Sequence, residues 1–354
     1  MKVTEIETPA VVLDLQAMKF NMDVMDSFLK GQEGVRLRPH FKTCKTIEIA
    51  KMQMERGAVG ITAAKLSEAE VLINAGFQNV LIANQVVQQS KIERLAGLAG
   101  KTHLIVCVDQ EENIRALSKA AVEAGNEIYL YIEYDIEMHR CGVDNYDEFY
   151  QLAKLITELP GITFSGIQAY AGHLSHIDDL SFVQNKVEEY ETILRGLKQY
   201  VEERGIPVKD ISGASTNTAR FKAGHGVYTE LQPGSYVFMD QAYSPCKLPF
   251  KNSLFILSTV VSKSQDRIVL DVGAKGLGLD QVFPSCVGFE DNEYTISEEH
   301  FTIHGKSDDV KVGDQVYLVP GHCCTTINLY QKLYVKAGEE ITKIWNVGGS
   351  LKSV

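Results

Sequence analysis

The chain has no apolar run near the ~20 residues that a membrane-spanning helix needs. Its start, Met1-Lys2-Val3-Thr4-Glu5, lacks the apolar core of a signal peptide. There is no disulfide framework: the seven cysteines (Cys44, Cys107, Cys141, Cys246, Cys286, Cys323 and Cys324) are odd in number and scattered. Positive charge is in deficit, with 35 Lys and Arg against 46 Asp and Glu and a net charge of −11. That balance argues against nucleic acid or an anionic membrane as the main partner. Low-complexity tracts and linker-like runs are missing. So is a Gly-x-Gly-x-x-Gly after an early strand, which weakens an open doubly wound sheet. The scattered cysteines and the missing signal and membrane segments lead us to expect a reducing, cytoplasmic setting, while the charge balance says little about a small substrate.

What is present is ordinary globular composition, 45% hydrophobic and 23% charged, over 354 residues. From about residue 35 to 240, short apolar runs alternate with helical patterns. The runs are Val35–Arg38, Val59–Ala64, Val80–Ala83, His103–Val108, Ile128–Tyr134, Ile162–Tyr170, Asp210–Ser212 and one near Val237–Phe238. Helical patterns lie over Lys45–Arg56, Ser67–Ala75 (Ser67 as N-cap, Glu70 completing a capping box), Gln88–Leu98, the stretch up to Ala124, Asn145–Glu158 and Asp179–Glu203. About eight strand–helix units predict an α/β fold, a (β/α)8 TIM-type barrel, over residues 15–245. After residue 250, β-prone runs separated by Gly, Asp, Ser and Pro predict a second, mostly antiparallel β domain of residues 246–354. Residues 1–14, with Ala10–Leu13, are expected to join it.

The chemistry concentrates at strand ends. In Arg36-Leu-Arg-Pro-His-Phe-Lys42, alternation places Arg38, His40 and Lys42 on one strand face. If that face is buried, an anion or an anionic cofactor must balance it, and Lys42 becomes a candidate nucleophile. Barrel active sites lie at the C-terminal ends of strands, and the loops after strands seven and eight commonly bind phosphate. Arg140, Tyr170, Gly172 and His173 follow strands five and six. The loops Ser212–Thr216 and Gly234-Ser235-Tyr236 are small and hydroxyl-rich enough for close approach to an anion. Lysine, phosphate cradle and arginine together suggest pyridoxal 5'-phosphate (PLP), with Lys42 as imine former and Arg140 facing the phenolic oxygen. Arg140 could equally pair with Asp135 or Glu137. His322 and Cys324, read as sharing one face of an extended segment, suit an open zinc site, unless they are a surface histidine beside buried thiols. His173 or His176 could add a third ligand.

Arg38-Pro39-His40-Phe41-Lys42-Thr43-Cys44-Lys45 closely resembles the Arg-Pro-His-x-Lys-Thr-His-Lys signature of the D-threonine aldolase and D-serine dehydratase family, fold-type III PLP enzymes built like alanine racemase. The resemblance continues through Thr8-Pro9-Ala10, Arg140-Cys141-Gly142, Glu230 to Asp240, Asp271 to Lys275, Gly278-Leu-Asp280 and the pair His322-x-Cys324. It implies a PLP-bearing barrel, a C-terminal β domain and a homodimer. Lys42 is then the Schiff-base lysine, with His40, Arg140, Tyr170, Ser215, Thr216, Gly234, Ser235 and Tyr236 around the cofactor. His322 and Cys324 hold a divalent metal, zinc before manganese or magnesium. The implied substrate is a 3-hydroxy-D-amino acid, whose α-proton the freed Lys42 amine takes.

His-x-Cys tips the family reading toward a dehydratase, D-serine to pyruvate and ammonia. Retro-aldol cleavage to glycine and an aldehyde is the alternative. A racemase of the same fold, with Tyr317 or Tyr330 as a second base, and a non-catalytic PLP carrier rank lower. Cys44 replaces the signature's second His, and Trp345-Asn-Val-Gly-Gly-Ser lacks an Arg common near the family's end. Both departures bear on specificity.

Overall fold

The computed structural model describes residues 1–305 and 310–352. Chain contacts divide it into two compact units: Asp26–Lys42 and Ile49–Gly234 with Lys352, and Met1–Met25, Thr43–Glu48 and Ser235–Leu351. In chain order the first strands are β1 (Ala10–Asp14), β2 (Arg36–Leu37), β3 (Ile61–Ala63), β4 (Asn79–Ile82), β5 (His103–Val108), β6 (Ile128–Glu133), β7 (Ile162–Ala169), β8 (Asp210–Gly213) and β9 (Glu230–Leu231). Helices α1 (Leu15–Leu29), α2 (Phe41–Cys44), α3 (Ile47–Glu55), α4 (Leu66–Asn74), α5 (Gln89–Ala99), α6 (Glu111–Ala124), α7 (Tyr146–Glu158), α8 (Leu180–Glu202) and α9 (Ala219–Lys222) alternate with them.

Strands β2 to β9 form one parallel sheet in the order β2-β9-β8-β7-β6-β5-β4-β3. The ring closes between β3 and the residues after β2. Val59 N–H donates to Leu37 O at 2.8 Å, Thr62 N–H donates to Pro39 O at 2.9 Å, and His40 bridges Thr62 in parallel. This is the expected (β/α)8 barrel. The eighth strand differs from the sequence reading. It is Glu230–Leu231, while Val237 lies in a 3-10 turn, Ser235–Val237. The Lys45–Arg56 pattern is the single helix α3, Ile47–Glu55, separated from the short α2 before it by Lys45 with φ 48°. Ser67 is not an N-cap: Lys65 holds that position, and Glu68 accepts from Ala64 N–H at 2.8 Å. Asn145 and Asp179 do cap α7 and α8 with their side chains, and left-handed Gly125 ends α6.

The second unit contains β1 and a mostly antiparallel sheet of β10 (Leu254–Lys263), β11 (Arg267–Leu270), β12 (Ser285–Cys286), β13 (Tyr294–Ile296), β14 (Phe301–His304), β15 (Gln315–Val319), β16 (Lys332–Ala337) and β17 (Glu340–Asn346). As expected, β1 joins it, antiparallel to β10 and parallel to β16. Its core packs Ile256, Val260, Leu270, Phe301 and Leu318. All seven cysteines are free. No helix among the described residues is long and apolar enough to cross a membrane.

Candidate active site

The signature segment begins inside the barrel. Arg38 is 1% exposed. Its Nε and Nη2 each lie 2.7 Å from a carboxylate oxygen of Glu230, and its Nη1 lies 2.7 Å from Asn79 Oδ1. Bidentate pairing is the geometry that offsets burial of a guanidinium. Burial would raise the Glu230 carboxyl, but the Arg38 hydrogen bonds and charge outweigh it and hold the group below its usual range. The anion that balances Arg38 is therefore Glu230 of the chain itself, which corrects the expectation that Arg38, His40 and Lys42 share one strand face balanced by a bound anion or an anionic cofactor.

After Pro39 the chain leaves the strand and turns into α2, which carries Lys42. The Lys42 N–H donates to His40 Nδ1 at 3.4 Å. Its ammonium is half-buried and has no carboxylate partner among the described residues. Lys42 Nζ lies 5.8 Å from the centroid of the Tyr170 ring, and Arg140 Cζ lies 5.6 Å from the same ring. One aromatic ring just after β7 thus has both the lysine and the arginine as neighbours.

Arg140 sits in a loop bent by Asp135, whose carboxylate accepts from the N–H groups of Met138 at 2.7 Å and His139 at 3.0 Å. The sequence offered Asp135 or Glu137 as Arg140's ion-pair partner, and neither is. Arg140 Nη2 meets Glu133 Oε1 at 3.4 Å, while Glu137 accepts from Tyr190 at 2.6 Å and Lys186 at 3.0 Å. His173 hydrogen-bonds Tyr190 at 3.0 Å.

Strands β8 and β9 end side by side, with Gly213 paired to Leu231. A Cβ at Gly213 would stand 2.0 Å from Ala169 O, so only glycine lets β7 and β8 approach there. Ser215 and Thr216 follow, both buried, with Ser215 N–H donating to Thr218 Oγ1 at 2.9 Å. Half-buried Gly234 follows β9. A lysine without a countercharge, an arginine and small hydroxyl residues, all at the C-terminal ends of barrel strands, fit an aldehyde cofactor bearing phosphate.

In the other unit, Ser235 and Tyr236 are buried in the 3-10 turn Ser235–Val237. Pro320 and Gly321 accept backbone bonds from Gln241 at 3.0 Å and Ala242 at 3.1 Å. A Cβ at Gly321 would stand 1.9 Å from Val282 O. His322 then caps the short helix α10 (Cys323–Ile327) rather than continuing an extended run. Cys323 N–H donates to buried Asp240 at 2.8 Å.

His322 Nδ1 lies 2.7 Å from Asp280 Oδ2, and Thr325 Oγ1 donates to Asp280 Oδ1 at 2.5 Å. Cys324 Sγ lies 3.2 Å from Thr43 Oγ1 and 4.0 Å from Ser235 Oγ. Burial pushes the His322 imidazolium down, but Cys324 and Asp280 outweigh it and raise it to about 9. With Nδ1 held by Asp280, Nε2 and the thiol form an N,S donor pair suited to a borderline-soft metal. No third His, Cys, Asp or Glu joins them among the described residues. Tyr330, a possible second base, donates to Gly276 O at 2.9 Å. Sequence reasoning did not single out Asp280, Thr43 or Glu133. Asp280 carried a signal as the end of Gly278-Leu-Asp280, and Thr43 as part of the signature after Lys42, whereas Glu133 carried none.

Residues 13–242 match the family described as "Alanine racemase, N-terminal domain", and residues 253–336 match "Putative serine dehydratase domain". The chain belongs to the D-threonine aldolase and D-serine dehydratase family. It is an enzyme of this fold-type III, PLP-dependent lyase group. It is 36% identical to D-threonine aldolase from Arthrobacter sp. and 34% identical to 3-hydroxy-D-aspartate aldolase from Paracoccus denitrificans (strain Pd 1222). Both alignments cover 98% of this chain and 93% of the relative. The structure matches D-threonine aldolase from Filomicrobium marinum with a TM-score of 0.96 at 33% identity, covering 100% of this chain and 98% of that one.

Proposed function

We propose that the chain cleaves 3-hydroxy-D-amino acids by a retro-aldol reaction to glycine and an aldehyde, using PLP and a divalent metal. The aldolase direction rests on the relatives at 34% and 36% identity and the structural neighbour at TM-score 0.96, whose names are all aldolases. One observation carries the chemistry. The Lys42 ammonium has no carboxylate partner among the described residues and lies, with Arg140, within 6 Å of the Tyr170 ring, at 5.8 Å and 5.6 Å from its centroid.

When bound, PLP supplies an electron sink at Cα and the metal supplies a Lewis acid for the β-hydroxyl. Lys42 provides the amine that holds the cofactor's aldehyde and, once released, a base near Cα. Ser215, Thr216, Gly234, Ser235 and Tyr236 would hold the phosphate. Arg140 and His40 would flank the ring, and Tyr170 would orient Lys42 and Arg140. Asp280 fixes the His322 tautomer, so that Nε2 is the nitrogen offered to the metal alongside Cys324. The thiolate favours zinc, with manganese or magnesium as the harder alternatives. The assembly is a homodimer.

Elimination to a 2-oxo acid and ammonia is the second reading, favoured by Cys324. Incubating the PLP- and zinc-loaded protein with D-threonine, 3-hydroxy-D-aspartate and D-serine separates the two. Glycine plus aldehyde, from D substrates only and lost with EDTA, is the expected outcome. A 2-oxo acid with ammonia and no glycine would transfer the reading to the dehydratase branch. α-Proton exchange with no cleavage product would leave only the racemase.

A further inference from the structure

We propose that Glu133 is a positioning residue for the cofactor ring: its carboxylate anchors Arg140 and sets how much positive potential that guanidinium presents to the phenolic oxygen. The inference rests on the reading that Lys42 carries PLP and Arg140 faces it. It goes beyond that reading in naming the group that controls Arg140.

Glu133 is the last residue of β6 and is 5% exposed. One carboxylate oxygen meets Arg140 Nη2 at 3.4 Å, and the other accepts from Gln85 Nε2 at 2.6 Å. The same Gln85 amide lies 3.3 Å from Asp109 Oδ2, which also accepts the Gly142 N–H at 2.9 Å. Gln85 therefore ties two carboxylates together without cancelling either charge. The other ionisable groups facing Glu133 are the thiols of Cys107 on β5 and Cys141 in the loop, both pushed up by burial, and Arg140 itself. Among the described residues, Arg140 is the cation that pairs with this cluster. Burial outweighs the bonds from Gln85 and Arg140 and holds the Glu133 carboxyl above its usual range.

The geometry leaves Arg140 with a divided task. Its Nη2 is held by Glu133, its Cζ lies 5.6 Å from the Tyr170 ring centroid, and 48% of its side chain stays exposed for another partner. Lys42 Nζ faces the same ring at 5.8 Å. Glu133, Arg140, Tyr170 and Lys42 therefore form one sequence of neighbours within the barrel. Replacing Glu133 by its neutral isostere keeps the shape and removes one negative charge from behind Arg140. The potential at the cofactor becomes more positive, which disfavours the protonated, cationic form of the Lys42-linked nitrogen.

The test is the pH at which the visible band of the PLP-loaded enzyme shifts, read without substrate. Glu133→Gln is expected to lower that midpoint by about 1 unit, the usual scale for one nearby charge. Glu133→Asp, which keeps the charge on a shorter arm, moves it less, and it substitutes as the probe if Glu133→Gln does not fold. Arg140→Met raises the midpoint on its own, and adding Glu133→Gln to it lowers the midpoint by less than Glu133→Gln does in the parent, because only the direct field of the charge remains once Arg140 is gone. An unmoved midpoint in Glu133→Gln beside a shifted one in Arg140→Met overturns the role given to Glu133. An unmoved midpoint in Arg140→Met overturns the placement of Arg140 at the phenolic oxygen. Loss of the band in Lys42→Ala is the separate check on the lysine.

Discussion

The two units treat a functional nitrogen in opposite ways. In the barrel, charge is neutralised where it is structural and left open where chemistry is expected. Buried Arg38 takes both oxygens of Glu230, whereas Lys42, four residues on, has no carboxylate partner among the described residues. In the β unit the functional imidazole is given a carboxylate, with Asp280 on His322 Nδ1 and Thr325 bracing Asp280. A lysine that must bond an aldehyde needs a lone pair and works best uncompensated. A histidine that must bind a metal needs one fixed tautomer and works best compensated on its far side.

The largest effects should come from removing the open amine. Lys42→Ala is expected to abolish borohydride-trapped PLP and to lower the rate by at least ~10³-fold, since the amine both holds the cofactor and moves the proton. Retained covalent labelling would show that another lysine is the anchor. Next comes the neutralised cation. Glu230→Gln leaves Arg38 buried with its countercharge gone and one of its two acceptor oxygens replaced by a donor, which costs about 3–5 kcal/mol by denaturant titration. The folded Glu230 carboxyl lies below its ordinary 4.5, so the pair's contribution is present above that pH and is lost as pH falls through the lower folded value. Acid unfolding that is no earlier in Glu230→Gln than in the parent would contradict this.

How much of this was legible in the sequence follows from how local each cause is. Gly125, Asn145 and Asp179 act on their own helix ends, and the pattern showed them. Glu230–Leu231 was passed over as a strand because an acid in a buried barrel strand looks like loop. Its reason is Arg38, 192 residues away. The break at Lys45 was equally hidden, since its left-handed turn is held by Gly349, which accepts from Lys45 Nζ at 3.0 Å and donates to Lys45 O at 2.9 Å. Among the candidate site residues, Lys42, His322 and Cys324 stood out in the sequence by residue type and spacing. Thr43, Glu133 and Asp280 are supporting groups of ordinary kinds, and only the fold reveals what each supports.

A smaller effect sharpens the β-unit side of the comparison. Asp280→Asn keeps a hydrogen-bond acceptor but removes the charge that fixes the His322 tautomer, so metal affinity should fall by about 10–100-fold. Competition with a chromophoric chelator reads this without turnover. His322→Ala and Cys324→Ala should each fall further. An Asp280→Asn affinity equal to the parent's would make Asp280 a bystander.

The smallest effect concerns a lysine that breaks the barrel's own rule. Lys222 on α9 is fully buried, and its Nζ has no hydrogen-bond partner among the described residues. It lies over the Tyr228 ring, 3.9 Å from the centroid. Glu191, nearby, spends one oxygen on His225 at 2.7 Å and leaves the other unsatisfied. Burial depresses Lys222 from 10.5 to about 7, only partly opposed by Glu191. The unfolded chain then binds more protons than the folded one between about pH 7 and 10.5. Stability therefore rises with pH through that window, and the penalty is fully present below it. Lys222→Met, of similar length and uncharged, should stabilise the fold by about 1–3 kcal/mol at pH 7, the desolvation cost less what the aromatic face returns. The gain should shrink toward pH 10. If Lys222→Met is instead less stable at pH 7, the cation is held by Tyr228 and Glu191 more tightly than its burial opposes, and Lys222 joins Arg38 as a compensated structural charge rather than standing as the exception.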